Sequence, residues 1–293
     1  MRPPAVKNTR RLIAGLCLVL LLTVCASGGG TAVAESHRPL RFGVIPTTNV
    51  MGMLKAYSPM VLHLRRALDR PVLFGSDTDM AAHRRALHEG LYDVVVTAPH
   101  FGAAMIAEGR YAPLLRYAGE LFPILVSRSD KPIHVPADLK GKTLALPSRT
   151  SLVSMGAMRW LERAGLRSGI DVTVTTAPSQ NAAVLAVFNG EAAAAAAAEL
   201  PYRRTSAAVR EFLRTIEIPF RVPHVFILAR SDMPQAEQNT LRAALRGFET
   251  SPEGRAFLTK SGLSGFTEIT TADVRALSGL VEALHWIDAE TGP

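Results

Sequence analysis

Asp138-Leu-Lys-Gly-Lys-Thr-Leu-Ala-Leu-Pro-Ser-Arg-Thr-Ser-Leu-Val-Ser-Met-Gly-Ala-Met-Arg-Trp-Leu-Glu-Arg-Ala164 reads as strand, polar turn and helix in immediate succession. Thr143 to Leu146 is a short apolar run that Pro147 ends, and Ser148, Arg149, Thr150 and Ser151 follow as a hydroxyl-rich helix start. Val153, Ala157, Trp160, Leu161 and Ala164 recur at spacings of three and four, which gives the helix one apolar face for a sheet. A helix start carries free N–H groups and about half a positive charge, so hydroxyls and an arginine there make a seat for an oxyanion. The helix is expected from Ser151, with Ser151 in its first turn.

Outward from this unit the chain repeats strand and helix. Leu40 to Ile45 is a strand, Pro46 to Asn49 a polar turn, and Leu54, Tyr57, Met60, Val61, Leu64 and Leu68 have helical spacing. Pro71 to Phe74 is a second strand, Asp77 to Glu89 a helix closed by Gly90, and Tyr92 to Val96 a third strand running into Thr97-Ala-Pro-His-Phe101. Strands alternating with helices imply a largely parallel sheet, whose ligands lie at the carboxyl edge of the strands. That rule puts Thr47 to Asn49 on one rim with Thr97 to Phe101.

Phe122-Pro-Ile-Leu-Val-Ser-Arg-Ser-Asp-Lys-Pro132 is echoed by Val225-Phe-Ile-Leu-Ala-Arg-Ser-Asp-Met-Pro234. Two similar strands that bracket a second series of strand and helix units indicate two lobes with a double crossover. The expected division is a first lobe from 35–125 and 226–293 and a second, inserted lobe from 126–225. Ala192 to Ala198 is a helix by propensity, but its place after a helix and a glycine argues for a buried strand. Beyond Asp232 the reading is helical: Gln235 to Phe248, Pro252 to Leu258, an extended Gly265 to Ile269, and one last helix from Thr271 to about Trp286. Leu241, Leu245 and Phe248 are spaced to pack on the first lobe.

The chain has 293 residues, 48% of them hydrophobic and 20% charged, a composition that suits a globular core. Its N-terminus is set apart. Arg2, Lys7, Arg10 and Arg11 precede an apolar run from Leu12 to Val24, and Thr31-Ala-Val-Ala34 supplies an A-x-A cleavage site, so 1–34 reads as a secretory signal. Cleavage after Ala34 is favoured over lipidation at Cys25, because Val24 fits a lipid-attachment site poorly. Both cysteines lie in the signal, which excludes a disulfide framework and a thiol catalyst from the mature chain. Removing four basic and no acidic residues takes the formal charge from +8 to +4. The remaining basic residues are scattered, so a nucleic-acid surface has no support.

The ordered set of a signal peptide, LRFGVIP, YDVVVTAPHF, DLKGKTLALPSRTS, SQNAAVLAVFNGEAAAAAAAE and PHVFILARSDMP resembles the periplasmic phosphonate-, phosphite- and phosphate-binding subunits of ABC importers. The likeness covers nearly all of the mature chain. It implies an α/β, two-lobed periplasmic-binding fold with two mostly parallel sheets, flanked by helices and joined by two crossover strands. It also implies a small phosphorus oxyanion in the interlobe cleft, against the helix start, and an importer permease as partner. Thr150 and Ser151 fall on the family's hydroxyl cluster, Thr97 to Phe101 on its first-lobe loop, and Gln180 where a histidine is frequent. The chain departs from the family in having Arg149-Thr-Ser-Leu152 in place of Ser-Thr-Ser-Gly, and only alanine where an acidic residue often interrupts the strand. The expected ligand-binding set is therefore Thr48, Asn49, Thr97, His100, Phe101, Ser148, Arg149, Thr150, Ser151 and Gln180, in a monomer without cofactor or metal. The alternatives are another small oxyanion, such as a sulfonate or carboxylate, and a sensor of the same fold that signals to a membrane kinase.

Other motifs are weaker. Gly141-Lys142-Thr143 precedes a strand and has Pro136 where a P-loop needs glycine. No serine sits in G-x-S-x-G, which gives a serine hydrolase no support, and no paired catalytic residues appear that would indicate another enzyme. His83 and His88 are five apart and do not share a helix face as zinc ligands would. His224 is read as structural and Glu199 as a solvated acid.

Overall fold

The computed structural model describes residues 38–291, so the expected signal and its cleavage site lie outside the described residues. In chain order the strands are β1 (Leu40–Val44), β2 (Val72–Gly75), β3 (Val94–Thr97), β4 (Tyr111–Tyr117), β5 (Glu120–Leu121), β6 (Pro123–Arg128), β7 (Thr143–Leu146), β8 (Thr173–Thr176), β9 (Ala194–Ala198), β10 (Leu213–Glu217), β11 (Val222–Pro223), β12 (Phe226–Arg230) and β13 (Phe266–Thr267). The helices are α1 (Val50–Ala67), α2 (Met80–His88), α3 (Pro99–Ala107), α4 (Leu152–Arg163), α5 (Gln180–Phe188), α6 (Glu199–Arg203), α7 (Ala207–Arg210), α8 (Gln235–Thr250), α9 (Pro252–Ser261), α10 (Thr271–Ala276) and α11 (Ser278–Thr291).

One lobe is built on a six-stranded sheet ordered β13-β4-β12-β3-β1-β2, the other on a five-stranded sheet ordered β10-β6-β9-β7-β8. In each, the strands joined by helices pair in parallel, as β2-β1-β3 and β8-β7-β9 do. The strand that arrives from the other lobe runs antiparallel to its neighbours: β12 against β3 and β4, β6 against β9 and β10. Both sheets are therefore mixed, because a chain that crosses between lobes enters against the direction of the local strand and helix units. Between the lobes β5 and β11 form a two-stranded ribbon, with Leu121 opposite Val222 and Glu120 opposite Pro223.

The echo between 122–132 and 225–234 marks equivalent places in the two lobes. β6 and β12 are each the first strand after a crossover, and each ends in the same ion pair: Arg128 to Asp130 at 2.9 Å and Arg230 to Asp232 at 2.6 Å.

Both faces of each sheet are covered. On the larger sheet Phe42, Val94 and Val96 pack with Met60, Leu64, Leu241, Leu245 and Phe248, so α8 covers the first lobe as its spacing indicated. In β9, Ala194 and Ala196 face one core cluster and Ala195 and Ala197 the other. A run of good helix formers is thus a strand, since sheet partners on both sides supply hydrogen bonds and burial that outweigh a few tenths of a kcal/mol per residue of propensity. The C-terminal helix differs from its reading: it breaks at Leu277 into α10 and α11.

Candidate functional site

Helices α1, α2, α4 and α5 begin beyond the carboxyl ends of β1, β2, β7 and β8, and each carries a side-chain cap. Asn49 accepts from Gly52 N at 2.8 Å, Asp79 from Ala82 N at 2.8 Å and Ser179 from Ala182 N at 3.1 Å. At α4 the cap is Ser151 itself, whose Oγ accepts from Ser154 N at 3.3 Å, so the helix starts one residue later than expected and Ser151 precedes its first turn. The Ser151 hydroxyl also donates to Ser154 Oγ at 2.8 Å, and Ser154 Oγ donates to the Pro147 carbonyl at 3.2 Å. This chain of hydroxyls fixes the lead-in and leaves the first-turn N–H groups of Leu152 and Val153 without an intrahelical acceptor.

Those groups open on an interlobe cavity of about 370 Å³. Ser151, Leu152 and Val153 line it from one lobe, together with Gln180 and the segment 198–204. Thr47, Met53 and Tyr57, the start of α3 with His100 and Phe101, and Phe257 line it from the other, and Glu120 to Phe122 and His224 line it from the ribbon. Gln180 Oε1 accepts from Ala198 N at 2.7 Å, which leaves the Nε2 amide as its donor.

His100 spans the lobes. It is fully buried, and its Nε2 lies 2.9 Å from the Thr150 carbonyl in the lead-in to α4. Burial holds the ring neutral, with its pKa pushed down to about 4, so Nε2 carries the proton it donates and Nδ1 is an acceptor. Nδ1 is buried and has no hydrogen-bond partner. His224 is also held neutral by burial, down to about 4, and its Nδ1 accepts from Val225 N at 2.8 Å. Tyr117 donates its hydroxyl to Tyr57 at 3.2 Å, and burial raises both phenols, so both are neutral. Glu199 starts α6 and is bound to Arg203 at 2.6 and 2.9 Å, a half-buried ion-paired acid rather than a freely solvated one.

Of the residues expected from the sequence, His100, Phe101, Ser151 and Gln180 are brought together around the cavity. The others stand beside it. Thr97 is fully buried against His83 Nε2 at 3.0 Å, and Asn49 is exposed and spent on capping α1. Thr48 flanks Thr47, which lines the cavity in its place. Ser148 and Thr150 bond each other through their hydroxyls at 2.9 Å, Thr150 contributes its carbonyl to His100, and Arg149 is exposed. The sequence reading missed the aromatic wall of Tyr57, Tyr117 and Phe257. Tyr57 and Phe257 lie within helical patterns that read as core, and only long-range packing turns them to the cleft. Among the described residues no group of three or more His, Cys, Asp or Glu could hold a metal ion, and no described helix is long and apolar enough to cross a membrane.

Residues 42–274 match the family described as the phosphonate ABC transporter periplasmic substrate-binding protein. No curated protein matches by sequence. Among solved structures, PhnD1 from Prochlorococcus marinus in complex with methylphosphonate is similar with a TM-score of 0.75 and 15% identity, covering 84% of this chain and 98% of that one. A binding-protein component of an ABC phosphonate transporter from Pseudomonas aeruginosa gives 0.72 and 15% identity over 83% and 85% of the two chains. A Xanthomonas citri protein bound to ATP gives 0.68 and 18% identity over 84% and 98%. At these identities the likeness to solved structures is one of fold.

Proposed function

The chain belongs to the family of periplasmic phosphonate-binding proteins of ABC transporters, and from that premise we propose that its own ligand is a phosphorus oxyanion held in the interlobe cavity against the start of α4. A protein of this family binds a small molecule in the periplasm and hands it to a membrane permease; it is a binding protein and not an enzyme. The observation that carries the ligand assignment is that Ser151, Leu152 and Val153 line the cavity at a capped helix N-terminus. Two N–H groups converge there with the positive end of the helix dipole, which is an arrangement for oxygen atoms bearing negative charge.

The remaining roles follow from position. The Gln180 amide and the first-turn N–H groups of His100 and Phe101 add donors from both lobes, so a ligand between them would hold the lobes together. His100 Nδ1 suits the hydroxyl of a singly protonated phosphonate, which a sulfonate lacks. Arg149 acts at a distance, on association rather than in the bound complex. Processing after Ala34 releases a soluble monomer.

A thermal-shift screen tests the reading. Phosphate, phosphite and phosphonates are expected to raise the melting temperature, since a ligand at 100 times its dissociation constant adds about 2.7 kcal/mol. Equal or larger shifts with sulfonates, or none with any phosphorus oxyanion, would remove it.

A further inference from the structure

The oxyanion end accounts for a minor part of the cavity. A water takes up about 30 Å³ in the liquid, so 370 Å³ is the space of about a dozen waters. Methylphosphonate has fewer non-hydrogen atoms than half of that. Seated at Ser151, it would leave most of the cavity to solvent, and the wall there is poorly made for solvent: Ile45, Met53, Tyr57, Tyr117, Leu200 and Phe257 line it. Tyr57 and Phe257 meet edge to face at 5.6 Å, and Tyr117 lies 6.5 Å from the same Phe257 ring, so three aromatic rings form one surface. Sites of this size and lining serve ligands with substantial apolar bodies.

The charges point the same way. An aminoalkyl substituent would need a carboxylate at its far end, and of the two that line the cavity Glu199 is paired with Arg203 at 2.6 Å and Glu120 is exposed on the ribbon. Arg203 and Arg204 line the cavity as well and match those two carboxylates, so its wall carries no net negative charge toward an ammonium group. An ammonium group placed on the rings gains their faces but no buried carboxylate, and that attraction offsets only part of its desolvation.

We propose that the ligand is an organophosphonate whose substituent is uncharged, apolar and larger than methyl, an alkyl or aryl group seated on the surface of Tyr57, Tyr117 and Phe257. The proposal rests on the oxyanion reading of the Ser151 end and assigns the rest of the same cavity. Leu200, half-buried at the start of the short helix α6, closes the apolar wall from the second lobe.

Calorimetric titration of the exported protein with inorganic phosphate and with methyl-, n-propyl-, phenyl- and 2-aminoethylphosphonate tests it. Affinity is expected to rise about threefold to fourfold with each buried methylene, which puts n-propyl about tenfold above methyl, with phenyl tighter still. 2-Aminoethylphosphonate has the length of n-propylphosphonate and is expected to bind at least about tenfold more weakly than it. Leu200→Ala should weaken n-propyl and phenyl binding and leave methylphosphonate within about twofold of wild type. Methyl- or 2-aminoethylphosphonate binding as tightly as n-propylphosphonate would overturn the substituent assignment and leave the oxyanion end standing, as would a Leu200→Ala variant that weakens every ligand equally. Failure of the whole series to bind, or binding of neutral n-propanol as tight as that of its phosphonate, would instead overturn the oxyanion reading and the proposal with it.

Discussion

Asp79 caps α2, Gly90 turns the chain after it at a φ of 65°, and β3 follows as Val94-Val-Val-Thr97; one hundred residues on, Ser179 caps α5, Gly190 turns at a φ of 80°, and β9 follows as five alanines. Each of these strands lies antiparallel to the strand that enters its lobe after a crossover, β3 to β12 and β9 to β6. The same local plan is filled with different chemistry. In the first copy Asp93 is fully buried at the head of β3, where it accepts from Arg41 N at 2.8 Å and pairs with the guanidinium groups of Arg41 at 3.2 Å and Arg230 at 3.5 Å. Asp77 accepts from Tyr92 at 2.9 Å and lies 2.8 Å from His83 Nδ1, whose other nitrogen meets Thr97. The Tyr92 ring fits over Gly43, where a Cβ would sit 2.4 Å from it. In the second copy the positions of Asp93, His83 and Thr97 are all alanine. One lobe fixes its sheet by a polar network that is costly to break, the other by methyl groups that let helices approach both faces closely.

Substitutions of matched residues separate the two devices. Asp93→Ala should cost the most, about 3 kcal/mol in urea unfolding, because removing one partner of a buried ion pair strands the other and a backbone N–H. A loss under about 1 kcal/mol would mean the network is ornament and the copies are equivalent. Acid comes next. The unfolded chain takes up a proton at the ordinary histidine pKa of 6.5, whereas folded His100 refuses it down to about 4. Its contribution to stability is thus fully present above pH 6.5 and is lost as pH falls from 6.5 to about 4, up to about 3 kcal/mol. Unfolding followed across that window should show a slope that His100→Gln reduces, and an unaltered slope would contradict a buried neutral ring. Ala195→Val adds bulk to the alanine copy between β6 and β7 and should cost about 1 to 2 kcal/mol by overpacking. A stabilising Ala195→Val would show that β9 is loosely packed and that its small residues are not needed.

The comparison also explains what could be read in advance. Lobes and crossovers were legible because caps, glycines and the Arg-Ser-Asp echo are local signals, and the seven-alanine run was assigned from its place among them, whereas β4 and β10 were not read. The cavity lining was legible at Ser151 and Gln180, which sit at helix starts. It was not legible at Tyr57, Tyr117 and Phe257, since residues from α1, β4 and α9 converge on the cavity only through the fold. Thr97 and Asn49 were misplaced for the converse reason: a hydroxyl or amide at a strand end or helix start can satisfy its own neighbours, and here His83 and Gly52 take them.

The measurement closest to the central claim is calorimetric titration of Ser151→Asp with the phosphonate that most raises the wild-type melting temperature. Aspartate caps a helix as well as serine does, so the variant keeps α4 while setting a carboxylate at the proposed oxyanion seat. The expected result is a fold that melts close to wild type and an affinity lower by at least about 100-fold, since like charges brought together cost several kcal/mol. Affinity within about threefold of wild type would place the oxyanion elsewhere in the cleft and contradict the account.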